Sequence, residues 1–209
     1  MKRPTASSFF AIPDDPELRL TWPTGNTNLF KDPARFFAVT RANAAYGMPG
    51  WTRDCGNKFH RGADIAPVNP LPTGQFTTVM FSDCEAGKEY ESEEPTWAVD
   101  EEIFTVAAGV VEEINTIPDA TTLGCYIMIR HRWPASGSSF FTLYAHLAKI
   151  EVQAGEPVKS GQTIGRMGQT SSSPDARNWM AIAPHLHFEV LDASLESYHP
   201  VDFLTRYLR

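Results

Sequence analysis

The chain has 209 residues, with 16 prolines, 14 glycines and a formal net charge of −7. That length fits one domain with a sizeable core and an elaborated terminus. The acidic balance excludes general attraction to nucleic acid or an anionic membrane surface, and no run of about 18 apolar residues is present to span a bilayer.

The chain begins MKRPTASSFFAIPDDP, with a basic tip and an apolar run only from Phe9 to Pro13. This is too short for a secretion signal, so export would need another route or a leader already removed. Residues 1–50 are proline-punctuated and read as an extension packed on a core, ahead of a domain over residues 51–209. Within the extension, KDPARFFAVTRANAAYGM predicts one short helix from about Pro33 to Ala45, with Asp32 as N-cap and Pro33 as first helical residue.

From about Phe59 the pattern turns to short strands. GADIAP, IFTVAAGVVEEI, CYIMIRH, SFFTLYAHL, TIGRMG and HLHFEVL are β-branched and aromatic, with turn residues between them. No long amphipathic helix follows. The expected fold is all-β and antiparallel, a sandwich or open barrel. Two stretches interrupt the strands. Residues 68–102 are acidic, with Glu85, Glu89, Glu91, Glu93 and Glu94 among them, and read as a solvated loop without a convincing strand. Residues 169–184, QTSSSPDARNWMAIAP, read as a second long loop. The cysteines, Cys55, Cys84 and Cys125, show no C-x-x-C spacing. Either Cys55 and Cys84 form a disulfide, leaving Cys125 free in an apolar strand, or all three are unpaired thiols.

Four of the six histidines fall in three patches: FHRGAD, LYAHL and PHLHFEV. In a strand, His185, His187 and Glu189 share one face and Leu186, Phe188 and Val190 the other, so the apolar set can enter a core while the histidines face a cleft. His60 and Asp64 have the same parity in extended structure and are neighbours on a helical turn. Either way both reach one ion, and imidazole nitrogen and carboxylate oxygen are both zinc ligands. By alternation Tyr144 and His146 share a face, opposite Leu143, Ala145 and Leu147. Each patch alone is a weak signal. His131 and His199 have structural readings, and Glu189 is either a partner for a histidine N–H or a carboxylate paired with Arg or Lys.

Together the patches resemble the lysostaphin-type, LytM-like zinc metallopeptidases, which cut peptide bonds in bacterial peptidoglycan. The resemblance covers roughly residues 55–205, and AAGVV, GCYIMIRH, IEVQAGEPVKSGQTIG and HPVDFL fall in the family's order. It implies a Zn2+ ion held by His60, Asp64 and His187 with water at the fourth position, and His146 and His185 as the catalytic pair. Which of these two is the base stays open. It also implies a peptidoglycan peptide as substrate, a monomer, and a place in the cell envelope, periplasmic or secreted. GEPVKSGQTIG also resembles the hairpin of biotinyl and lipoyl carriers, but Lys159 lacks their flanking residues, and Val158 and Ile164 read as core.

The chain departs from the pattern in places. Residues 68–102 and 169–184 are long. Arg53, Asp54 and Cys55 stand where glycyl-glycine cutters tend to place a tyrosine, which weakens a pentaglycine-bridge assignment. Some relatives are latent because an upstream residue plugs the zinc position, and Asn26, Asn28, Asn43 and Asn57 are chemically suited to that. Two other readings compete: a non-enzymatic relative that binds cell-wall peptide or activates an amidase, and a zinc peptidase acting on other proteins. Retention of every ligand and histidine disfavours the first.

Overall fold

The computed structural model describes residues 8–38, 47–83, 88–172 and 184–208. After a 3₁₀ turn at Asn28–Phe30, the first helix, α1, spans only Pro33–Phe36. The expected helix to Ala45 is therefore corrected. Phe37 turns extended (φ −84°, ψ 135°) and bridges Ile65, because the apolar FF pair fits a sheet edge better than a continuing helix. Asp32 occupies the N-cap position without a side-chain capping bond.

The strands follow: β1 (Gly50–Arg53), β2 (Lys58–His60), β3 (Ala63–Ile65), β4 (Leu71–Asp83), β5 (Lys88–Ala98), β6 (Glu102–Phe104) and β7 (Gly109–Asn115). Then come β8 (Tyr126–Arg132), β9 (Ser139–Ala145), β10 (Lys149–Ile150), β11 (Pro157–Val158), β12 (Thr163–Arg166), β13 (Leu186–Leu191) and β14 (Ser197–Tyr198). Helix α2 (Pro200–Tyr207) closes the chain. The main sheet has seven strands, in the order β11-β7-β8-β9-β13-β14, with β3 also paired to β13. A three-stranded sheet, β10-β12-β6, accompanies it. All strand pairs are antiparallel, and the sheets do not close into a barrel.

Between the two sheets, Ile127, Ile129, Phe140, Tyr144, Leu186, Phe188 and Val190 join Ile103 and Ile164 in one buried cluster. The alternation in CYIMIRH and HLHFEVL thus points one apolar set inward. Val158 belongs to the same cluster. The N-terminal segment also enters it, through Leu18, Leu20, Leu29, Phe36 and Phe37.

The acidic stretch is a second correction. Strands β4 and β5 form a long hairpin, running from Leu71↔Ala98 to Asp83↔Lys88. Thr77, Thr78, Val79, Phe81, Tyr90, Thr96 and Trp97 supply strand-favouring residues that the charged neighbours obscure in a simple reading. Cys55 is disulfide-bonded, Cys125 is a buried free thiol, and Cys84 lies outside the described residues. The greater part of the 169–184 loop lies outside them too.

Candidate metal and catalytic site

Strand β13 sets the site. Its register places His187 opposite Asp64 of β3 on one side and opposite Ala145 of β9 on the other. His60 ends β2, and Arg61 and Gly62 turn the chain into β3. Gly62 is required by close approach, since a Cβ there would lie 2.5 Å from Cε1 of His187. The result brings His60, Asp64 and His187 together with one ligand atom each, all within 4.8 Å of one another and all buried.

The hydrogen bonds orient these groups. His60 Nδ1 lies 2.8 Å from the Met48 carbonyl. A carbonyl only accepts, so Nδ1 carries the proton and Nε2 faces His187 Nδ1 at 3.2 Å. His187 Nδ1 is 2.9 Å from Asp64 Oδ1, and its Nε2 is 2.8 Å from Glu189 Oε1. His60 Nε2, Asp64 Oδ1 and His187 Nδ1 therefore converge. Two imidazoles and one carboxylate are a donor set suited to a zinc ion with an open position.

The same density of groups sets the charges. Burial opposes ionisation of Asp64, but Arg53, His60 and His185 and the His187 hydrogen bond outweigh it and hold the carboxyl well below its usual range. Burial also opposes charge on His187, yet its bonds to Asp64 and Glu189 lift it to about 9. Burial pushes His60 down, only partly offset by Asp64. A divalent ion and a proton would thus compete for the same lone pairs.

His146 reaches the site by breaking the strand pattern. Tyr144 points into the core, with its ring 5.4 Å from that of Phe188 and its hydroxyl accepting from Val106 N. Strict alternation would send His146 the same way. Instead His146 adopts φ +63°, where the ladder ends, and its ring turns to lie 4.9 Å from His185 and 5.7 Å from His187. The expectation that Tyr144 and His146 share a face is thereby corrected. A left-handed non-glycine backbone costs on the order of 1–3 kcal/mol and persists where its surroundings over-determine it. Here His146 N donates to Leu123 O, and Nδ1 bonds the Thr170 carbonyl at 2.7 Å. Burial, then His185 and His187, push the ring down to about 3, so it is neutral. His185 sits at the edge of the cluster with Nε2 3.7 Å from Asp64 Oδ1.

Other residues named from sequence lie elsewhere. His131 is buried in the main sheet between the Ala108 carbonyl and the Thr142 hydroxyl. His199 caps α2 by accepting from Asp202 N. Asn26 commits its amide to Arg35 O and Ala66 O rather than to the candidate ligands. Asn28 lines a cavity of about 610 Å³ with Arg35, Ala38, Ala66 and Pro184, next to the strand of Asp64. Asn57 is exposed, and Asn43 lies outside the described residues. Among the described residues, the upstream side chain that does reach the donor set is that of Arg53. Its guanidinium is ion-paired with Asp64 and lies 3.0 Å from His60 Nε2. Arg61, Thr170 and the Met48 carbonyl were also missed. Arg61 alone had a signal, its place inside FHRGAD.

Comparison with known proteins adds the relationship. The model of "Peptidase family M23" matches residues 96–202, which include His146, His185 and His187 and begin downstream of His60 and Asp64. Peptidoglycan DD-endopeptidase ShyA of Vibrio cholerae is 35% identical over 89 residues, 43% of this chain and 17% of that protein. ShyC of the same organism is 40% identical over 68 residues, 32% of this chain and 13% of that protein. The chain thus spans less than a fifth of these two relatives' own length. Among solved structures, the catalytic domain of lysostaphin from Staphylococcus simulans aligns with a TM-score of 0.45 and 21% identity, over 77% of this chain and 90% of that one. With the family model matched across just over half of its length, the chain belongs to peptidase family M23.

Proposed function

We propose that this protein is a zinc-dependent endopeptidase that hydrolyses peptide bonds in bacterial peptidoglycan, in the stem peptide or its cross-links, outside the cytoplasm. The observation that carries this reading is the convergence of His60 Nε2, Asp64 Oδ1 and His187 Nδ1 beside two further histidines. Peptidoglycan as substrate draws on the relatives named DD-endopeptidases. Bound there, zinc would polarise water and the scissile carbonyl as a Lewis acid.

The chain's own groups divide the proton work. His146 donates Nδ1–H to the Thr170 carbonyl, which leaves Nε2 as an unprotonated acceptor. That free Nε2 suits His146 to take the proton from the attacking water. His185 stands 4.9 Å away, ring to ring, and holds a hydrogen bond to the developing oxyanion or returns a proton to the leaving amine.

The test is zinc content of the purified protein, with mass spectrometry of peptidoglycan fragments before and after incubation. About one zinc per chain with new peptide-bond products is expected. His146→Ala and His185→Ala should keep zinc and lose turnover, whereas His60→Ala, Asp64→Ala or His187→Ala should lose both. Release of zinc by His185→Ala with retention by His187→Ala would reverse the assignment within H-x-H. Digestion of casein as readily as peptidoglycan would move the substrate to proteins in general.

A further inference from the structure

The two ends of HRGAD supply candidate ligands, but Arg61 has no place in the chemistry above. Its side chain is mostly buried, 14% exposed. Its Nε donates to Ser197 Oγ at 2.7 Å and its Nη2 to Leu195 O at 2.6 Å. Thus pinned, the guanidinium stands 3.7 Å from Glu189 Oε2. Glu189 is 2% exposed, and its other oxygen lies 2.8 Å from His187 Nε2.

We propose that Arg61 and Glu189 are positioning residues that hold His187 as a metal donor and thereby set the protein's affinity for zinc. The argument is geometric and rests on the metal-site reading above. A carboxylate can only accept, so Glu189 keeps a proton on Nε2, and the proton an incoming ion would displace is the one on Nδ1, the atom 2.9 Å from Asp64 Oδ1 and 3.2 Å from His60 Nε2. An ionised partner on the far nitrogen also makes the ring a stronger donor. A buried carboxylate is costly without a cation, and Arg61, the residue directly after His60, supplies that cation. Gly62 completes the arrangement. A Cβ there would lie 2.7 Å from His187 Nε2 and 2.9 Å from the Phe188 carbonyl, so a side chain would push the ring off Glu189. In HRGAD, positions one and five therefore offer donors, position two anchors the carboxylate behind the third donor, and position three leaves it room.

The test compares the full chain with Glu189→Gln, Glu189→Ala and Arg61→Gln. Zinc affinity is measured by competition with a chromophoric chelator, and the metal-free forms are melted by circular dichroism. Glu189→Gln keeps an acceptor of the same shape and removes only the charge. It is expected to weaken zinc binding by about 10- to 100-fold with the fold intact, and Arg61→Gln should weaken it in the same direction. Glu189→Ala should be the weakest binder. Variants that melt lower yet bind zinc as tightly as the wild type would assign the pair to fold stability and overturn the relay. If Glu189→Gln does not fold, Arg61→Gln decides, with unchanged zinc affinity as the overturning result. Absence of zinc binding by the wild type would sink the metal-site reading itself, a separate result from equal binding by wild type and variants.

Discussion

The N-terminal segment and the β4–β5 hairpin are built on opposite principles. Residues 8–38 have almost no regular structure, yet they are woven into the core through Leu18, Leu20, Leu29, Phe36 and Phe37. Their backbone pairs with the strand of Asp64, as Ala38 N donates to Asp64 O and Ala66 N to Phe36 O. The carbonyl of Met48 orients His60. The hairpin is regular apart from a register shift between Pro72 and Phe76, but among the described residues β4 and β5 pair with each other and with no other strand. Its foot carries exposed apolar residues, with Leu71 and Phe76 each 67% accessible. Regularity is therefore a poor guide to what holds this protein together, because stability follows buried apolar area and satisfied backbone groups.

The comparison can be broken most directly by removing one region. Deletion of residues 1–48 is expected to abolish folding and zinc binding together. Each large apolar side chain lost from the core costs roughly 1.5–3 kcal/mol, and five of them rival a whole domain's stability of about 5–15 kcal/mol. A soluble deletion product with a cooperative thermal transition would show the segment to be an accessory.

Single substitutions sharpen the same contrast. Phe36→Ala, at a side chain with no exposure, should lose about 3–5 kcal/mol in urea unfolding. Phe76→Ala on the hairpin should change stability by no more than about 0.5 kcal/mol. Equal losses would mean that the hairpin packs as firmly as the extension.

Acid sensitivity should arise in the central sheet rather than in the acidic hairpin. Burial lowers His131 from the ordinary histidine value of 6.5 to about 4. The unfolded chain then binds a proton that the folded chain refuses, so this contribution to stability is lost as pH falls from about 6.5 to about 4 and levels off below. Its size is on the order of 3 kcal/mol from the shift. The stability advantage of wild type over His131→Gln, followed by urea unfolding of metal-free protein, should shrink across that window. An advantage independent of pH would contradict the assignment.

Arg53 lies where the N-terminal segment hands over to the candidate ligands. It is a cation ion-paired with Asp64, so it competes with an incoming cation for that charge. Arg53→Gln should tighten zinc binding by up to about tenfold, or ~1.4 kcal/mol, in a chelator competition. Weaker binding would make Arg53 a support of the site instead. The smallest effect on stability is expected from replacing residues 72–97 with a short turn. Zinc binding should survive, and any change should fall on substrate choice.

Much of the site was legible in the chain itself. HRGAD, AHL and HLH carry donor chemistry at local spacings, and local spacing is preserved whatever the fold does. The strand CYIMIRH and the inward set of HLHFEVL followed from period-two alternation for the same reason. The reading failed where tertiary context overrode local pattern. The helix from Pro33 stops at Phe36 because Phe37 pairs with Ile65, a partner 28 positions away. The acidic residues of 68–102 masked a hairpin whose pairing satisfies its own backbone.

What the sequence by itself determined is the donor inventory, the antiparallel β class and the family, because residue types and short-range periodicity are local properties. The tertiary structure decided which nitrogen of His60, His146 and His187 is turned toward the site, since that depends on the Met48 and Thr170 carbonyls and on Glu189, held by distant chain segments. It also decided that His146 leaves its strand's alternation, that Arg53 stands against Asp64, and that Arg61 backs Glu189. Hydrogen-bond partners and close approaches are fixed by packing between residues far apart in the chain, and no local pattern encodes them.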